Sequence, residues 1–594
     1  MVSHARRSVA AVLWGIALAW SSCCSSLVVD YPSIFRELYL ATSAGGGSLS
    51  SSSSWRNASG WNTSGIITTT ALDDEYCTWY GVTCGNAVVD NGGGRSQRSV
   101  VALRLSGNGL IGTLPPSFDL LRHGDIAILD LSENVIEADV SRFATFVKLE
   151  KLLLGHKQVT TLCTFPWGGP GMEDCLGYPD LGFLQGGYKP RAVNRFYGAL
   201  FPALFALTNL TALTVHSVNV SGEFTAGFCQ LVNLEYLFVV QAPQIAGQIP
   251  DCTFAAMPKL KIWILSESGL TGTIPATISN STSLRQFCIA SNALTGTLPP
   301  FPPNLLQFFA PSNQLVGTLP PAQPYFSIND AILTDGLEVV ALLQNHLSGT
   351  LPSDWGQMLN LKAVMLGINA ISGTIPASWE SLTAMTIFHV RNNRLSGTIP
   401  AFVGTRWIRN YTRDSVPPPF CNLDVASLCP LRHLIPAFPS TLLGLRLLSI
   451  GFNAWAGAIP IALRMHPLLS QVDIDQCGLD GDAETLFPFV SPFLDFLSLR
   501  GNRIRGSLGP SICQWESPQS LQTFDVASNL LTGEIPLCIG RFSWLRSLDL
   551  SNNAFNGTLP PSLGSGTTNL EHLNVAGNQL VGPLPQALMN LAQL

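Results

Sequence analysis

The chain has 594 residues, several times the ~100–200 usual for one domain, so a single ordinary globule is not expected. Charged residues make up only 12% while hydrophobics reach 46%, with 53 Gly and 40 Pro, a mix that excludes a disordered chain and suits a turn-dense, well-buried one. The net charge of -6 and the lack of any basic run argue against nucleic acid as a partner.

In chain order, the first predicted element is a leader over residues 1–26. Arg6 and Arg7 precede an apolar run from Val9 to Trp20, and small residues from Ser21 to Ser26 follow, which is the layout of a secretory signal peptide. That run is short of the ~20 residues of a comfortable transmembrane span. Residues 27–95 read as a cap with a Ser/Gly-rich insertion, Gly45 to Ser54, ahead of the segment Cys77-Thr-Trp79-Tyr-Gly81-Val82-Thr-Cys84. Seven Asn-x-Ser/Thr sequons, at Asn57, Asn62, Asn209, Asn219, Asn280, Asn410 and Asn556, agree with export and are the expected glycosylation sites.

Residues 96–594 form a repeat array. Gly-x-(Leu/Ile)-Pro recurs from Gly112, Gly247, Gly272, Gly296, Gly317, Gly349, Gly373, Gly397, Gly457, Gly533, Gly557 and Gly582, mostly 24 or 25 residues apart. Four residues before most of these glycines stands an asparagine, and before it an apolar frame such as Leu545-x-x-Leu548-x-Leu550-x-x-Asn553. Alternating Leu-x-Leu predicts a short strand with its leucines inward and the x residues outward. The asparagine turns the chain and satisfies backbone groups of its own and the adjacent coil. The glycine takes dihedrals closed to other residues, and the proline favours an extended return path. No coil buries its leucines alone, so stability comes from neighbour interfaces. Two islands interrupt the period, near 163–195 and 405–439, leaving about 17–18 coils.

The frame LxxLxLxxNxLxGxIP resembles that of plant-type extracellular leucine-rich-repeat proteins, and the Cys77–Cys84 segment resembles the CxWxGVxC cap preceding such arrays. Coils such as 349–366, with Trp355 and Met358, are also similar to those of the promastigote surface antigen family of kinetoplastid flagellates. The resemblance implies an α/β fold: a right-handed solenoid, horseshoe or superhelix, with a parallel β-sheet on its concave face and irregular or 3-10 outer segments. It also implies ligand recognition at the cell exterior, whether by surface antigens and adhesion proteins, receptor ectodomains, or inhibitors of foreign glycoside hydrolases.

The cysteines sort within this frame. Cys77 with Cys84 should staple the cap; Cys163 with Cys175 and Cys421 with Cys429 would close the islands. Cys229 and Cys252 follow their glycines at offsets of seven and five, and Cys513 and Cys538 repeat those offsets, so each pair should bridge adjacent coils. Cys477 takes the asparagine column and Cys288 an outward strand position. No His/Cys cluster has zinc spacing, so neither a metal nor any other cofactor is expected.

Outward strand positions give the candidate binding face. In the middle coils they are apolar, with Tyr236, Phe238, Ile262, Ile264, Phe309, Leu343 and Met365; toward the C-terminus they turn charged, with His389, Arg391, Asp473 and Asp475. An exposed apolar band rimmed by charge is the expected look of a patch that binds a protein or a glycan. No nucleophile elbow, Walker loop, zinc-protease or kinase motif is present, and the nine histidines share no spacing with a nucleophile, so no enzyme is expected. Any attachment to a membrane would come from sequence beyond Leu594.

Overall fold

The computed structural model describes residues 31–42, 77, 80–90, 96–155, 194–216, 219–322, 336–410, 442–487, 489, 491–515, 520–591 and 594. The leader, the Cys163/Cys175 and Cys421/Cys429 pairs and the sequons Asn57 and Asn62 lie outside them. The chain divides into two compact units, one ending at Gly269 and the other resuming at Leu270.

In the first unit an α-helix, Tyr31–Thr42, buries Ile34, Phe35 and Leu38. Its C-terminal backbone lies so close to Gly112 that a Cβ there would stand 2.5 Å from the Ala41 carbonyl oxygen, which only glycine accommodates. The antiparallel strands Val82–Asp90 and Ser96–Arg104 follow, and the Cys77–Cys84 disulfide joins the first of them to the chain ahead of it. From Ser96–Arg104 the pairing becomes parallel and steps once per coil through Ile128–Asp130, Lys151–Leu153, Ala212–His216 and Tyr236–Gln248. The second half of Tyr236–Gln248 also pairs with Asn219–Phe224 on the outer side.

The second unit repeats the plan. A parallel sheet runs through Gln286–Cys288, Gln307–Phe309, Val339–Ala341, Ala363–Met365 and Ile387–His389. It continues through Leu447–Ser449, Gln471–Asp473, Phe496–Ser498, Thr523–Asp525, Ser547–Asp549 and His572–Asn574. The central residue of these strands faces the core, and Phe287, Phe308, Val340, Val364, Phe388 and Val472 are fully buried. After many of the repeat prolines the chain forms a short 3-10 turn, as at Ser353–Gln357 and Ala377–Ser381, whose Trp355 and Trp379 stack with rings 6.0 Å apart. Parallel strands joined through such returns are a leucine-rich-repeat solenoid, as the periodicity predicts.

The asparagine column supplies the backbone bonding that the turns need. The Asn369 amide donates to the carbonyls of Leu366 and Gly367 in its own coil and of Leu342 in the preceding one, while its oxygen accepts from the Leu347 amide. Asn393 and Asn553 repeat this pattern residue for residue. In the first unit Asn134 does the same with Leu105, Leu131, Ser132 and Leu110. Cys477 keeps only part of the role, its thiol donating to the Asp475 carbonyl at 3.2 Å.

Two disulfides clip adjacent coils, Cys229–Cys252 and Cys513–Cys538, with Cα atoms 6.0 and 5.4 Å apart. No helix among the described residues is long and apolar enough to cross a membrane.

Candidate functional site

The expectation of an exposed apolar band needs correcting. Phe238 and Ile264 in the first unit, and Phe309, Leu343 and Met365 in the second, are 1–3% exposed. Strands stacked ~4.8 Å apart set outward side chains of consecutive coils side by side, so bulky residues screen one another. Tyr236 and Ile262 remain half-buried. The Lys261 ammonium lies 5.6 Å from the Tyr236 ring centre and 2.7 Å from the Glu235 carboxylate. Cys288 and Cys477 are buried and form no disulfide.

The charged residues of the second unit assemble into an ionic ladder. Arg391 pairs with Asp473 and reaches Asp475 at 3.4 Å, while its guanidinium lies 4.5 Å from the centre of the Phe452 ring. Ser449 donates to Asp473 at 2.8 Å, and Ser498 donates to Asp475. Farther along, Arg500 bridges Asp525 and Asp549, 3.0 Å from each, and its backbone amide donates to Asp475. Asn574 donates to Asp549 at 3.2 Å, so the ladder runs on to the last strand.

Glycines on the same face make room for it. A Cβ on Gly451 would stand 2.9 Å from the Asp473 carboxylate, and one on Gly367 would stand 2.4 Å from the His389 ring. The sequence pattern pointed to Arg391, Asp473 and Asp475 but missed Ser449, Phe452 and these glycines. Their one signal was position, since each falls on an outward column beside a charged neighbour.

The low-polarity setting shifts several of these groups. Burial pushes the Asp475 carboxyl up to about 6, with Asp473 beside it adding to the effect and the Ser498 hydroxyl opposing it. Burial raises Asp525 as well, against its bonds to Ala527 and Arg500. Asp549 is held low by Ser551 and Arg500, although burial opposes this. Burial drives the His389 imidazole down to about 4, against the pull of Asp473. The face thus presents more carboxylates than guanidiniums, each arginine shared between two acids.

Four sequons have exposed asparagines, Asn209, Asn219, Asn280 and Asn556, none on an outward strand column. Asn410 lies on the short strand Ile408–Asn410. Among the described residues no His, Cys, Asp or Glu group is placed to hold a metal ion.

The Leucine Rich Repeat family matches residues 544–565 and 569–591. Receptor-like protein 54 of Arabidopsis thaliana is 32% identical over 164 residues, 28% of this chain and 20% of that protein. Receptor-like protein 53 of the same plant is 33% identical over 154 residues, 26% of this chain and 15% of its own length. The matched stretches thus span a fifth or less of these relatives.

Among solved structures, a TDR receptor superposes with a TM-score of 0.59 at 21% identity, covering 83% of this chain and 70% of that one. The Arabidopsis receptor kinase HAESA, solved with the peptide hormone IDA and the co-receptor SERK1, gives 0.53 at 22% identity, covering 95% and 88%. By repeat and by fold, the chain is a leucine-rich-repeat solenoid.

Proposed function

We propose that the protein is a receptor-type recognition protein that binds a protein or glycan partner, a peptide segment foremost, along the outward strand face of its second unit. The observation that carries this reading is the ionic ladder from Arg391 to Asp549, two arginines each shared by two aspartates across successive coils, on columns free of sequons. A charge array fixed in place before the ligand arrives selects by complementarity and adds little ordering cost. His389, on the strand that leads to Arg391, is buried, and Met365, Leu343 and Phe309 are buried on the coils before it. In the first unit only Tyr236 and Ile262 of the outward apolar residues are partly open to solvent, and Phe238 and Ile264 are buried.

The curated relatives are named receptor-like proteins, and one solved relative is named as a plant peptide hormone receptor in complex with RGF2. These names favour the receptor reading over a surface-antigen one. The chain recognises, and a partner or a further segment transmits.

The test is a peptide and glycan array probed with the secreted chain and with an Arg391→Glu/Arg500→Glu variant checked for intact secondary structure. Selective peptide binding that weakens at least tenfold in the variant, and weakens with added salt, supports the proposal. Equal binding by both proteins would move the site off this face. Selective binding of folded glycoside hydrolases instead would favour an inhibitor.

A further inference from the structure

A different surface of the second unit carries a repeated pattern that ligand recognition by the outward strand face does not use. The residue after the repeat glycine is threonine in six successive coils: Thr273, Thr297, Thr318, Thr350, Thr374 and Thr398, all exposed. Two residues before each stands a small or β-branched uncharged residue, Thr271, Thr295, Val316, Ser348, Ser372 and Ser396. Three residues after each stands another exposed uncharged one, Ala276, Pro300, Pro321, Ser353, Ala377 and Ala401. In the next coil alanine replaces threonine, at Ala458, and beyond it charges enter the pattern as Asp480, Asp482, Arg505 and Glu534. The patterned stretch therefore has definite ends.

The backbone holds these side chains in a lattice. Thr273 bridges to Thr295, Thr297 to Val316, Thr318 to Ser348 and Thr350 to Ser372, each across one strand spacing of ~4.8 Å. The threonines also share one orientation. The nearest atom to a Cβ built on Gly296, Gly317, Gly349, Gly373, Gly397 or Gly457 is the Cγ2 methyl of the preceding coil's threonine, at 2.6–3.3 Å. Each methyl is thus pinned over the next coil's glycine, which fixes χ1. The hydroxyls of Ser348, Ser372 and Ser396 are spent on the preceding coil's glycine carbonyl, at 3.0–3.3 Å. Among the described residues the hydroxyls of the six threonines have no such bond, so each faces solvent with both its donor and its acceptor open.

A rigid file of identically oriented, unpaired hydroxyls alternating with methyl groups suits a ligand that itself repeats. A compact ligand would use one pocket, and none is needed here. A polysaccharide surface would be expected to meet aromatic platforms, and none of the three columns holds an aromatic residue. Uncharged columns disturb ordered water least, and hydroxyls at a fixed pitch can be bridged by it.

We propose that this threonine face binds the ordered water lattice of an ice surface. The proposal does not rest on the receptor reading, and the two use different residues.

The experiment uses the secreted chain, probed with growing ice and with microcrystalline cellulose. The expected result is enrichment of the protein in the ice fraction and slowed ice recrystallisation at micromolar concentration. Thr350→Lys, mid-array and exposed, should lower ice enrichment at least fivefold with the melting temperature unchanged, while Thr558→Lys, outside the array, should leave it intact. Thr350→Val, which keeps the pinned methyl, and Thr350→Ser, which keeps the hydroxyl, separate the two contributions. Exclusion of the folded protein from ice, equal enrichment of the Thr350→Lys variant, or retention on cellulose alone would each overturn the proposal.

Discussion

A single carboxamide at the end of each strand does the bonding of several backbone partners. Replacing Asn369 with Ala would leave the Leu347 amide and the carbonyls of Leu342, Leu366 and Gly367 without it. Each buried group left unpaired costs about 1–3 kcal/mol, and water reaches this half-buried site in part, so we expect a loss near 3 kcal/mol by denaturant unfolding. A change below 0.5 kcal/mol would mean the turn holds itself. This column was legible in the sequence because the role admits almost no other residue. The position before it was not, because its requirement is one of backbone and not of side-chain chemistry. Glu133, Gln344, Ile368, Asn392 and Phe452 share nothing in composition, yet all have φ between 50 and 55°. Glycines at 107, 501 and 577 were the available signal, and the glycine of the repeat motif drew attention away from them.

His466 makes a residue-scale prediction of another kind. It is fully buried, its Nδ1 accepting from the Leu468 amide and its Nε2 lying 3.3 Å from the Trp407 carbonyl oxygen. Burial pushes the imidazole from 6.5 down to about 4. Between those values the unfolded chain takes up a proton that the folded one refuses, so stability falls as pH drops from 6.5 toward 4 and levels off below. His389 acts in the same sense, while Asp475 and Asp495, raised by burial to about 6, act in the opposite one. A His466→Gln variant should therefore lose stability less steeply than the parent between pH 6.5 and 4.5. Parallel curves from thermal melts at stepped pH would place the titration elsewhere.

At the scale of the element, the left-handed turn residue is where local preference and fold conflict. Ile368 is β-branched and sits at φ 55°, a conformation that costs an L-residue about 1–2 kcal/mol. Ile368→Gly removes that cost but adds unfolded-chain entropy, leaving an expected gain of about 0.5–1 kcal/mol. The side chain is exposed, so little packing is lost. Destabilisation by this substitution would show that the isoleucine makes a contact worth more than its strain. The strands themselves were legible because their leucine positions alternate, and burial enforces the alternation. The exposure of the binding face was misjudged for a related reason. Sequence shows which side of a strand a residue takes, but not that its neighbours on the adjacent coils stand close enough to cover it.

At the scale of the whole molecule, the ionic ladder and the threonine file both depend on coils remaining in phase, and that phase is testable by removal. Gly373 follows Gly349 by 24 residues, and both sit in the tripeptide Ser-Gly-Thr. Deleting residues 349–372 would join Ser348 to Gly373 and regenerate the same turn. Strand Val339–Ala341 would then meet Ile387–His389 in place of Ala363–Met365, with all three carrying the same alternation. Trp355 now donates its indole N–H to the Pro320 carbonyl, as Trp379 does to that of Pro352, so in the shortened chain Trp379 inherits the place of Trp355. Because stability in such stacks is roughly a sum over neighbour interfaces, loss of one coil should remove one interface and leave a folded protein. Its circular dichroism per residue should match the parent and its melting point should fall by a few degrees. Deletion of only half that span, 349–360, would leave about half a lap of chain between Asn345 and Asn369, too short to close a coil, and that protein should fail to fold. Equal tolerance of both deletions would show that the coils do not hold one another in register.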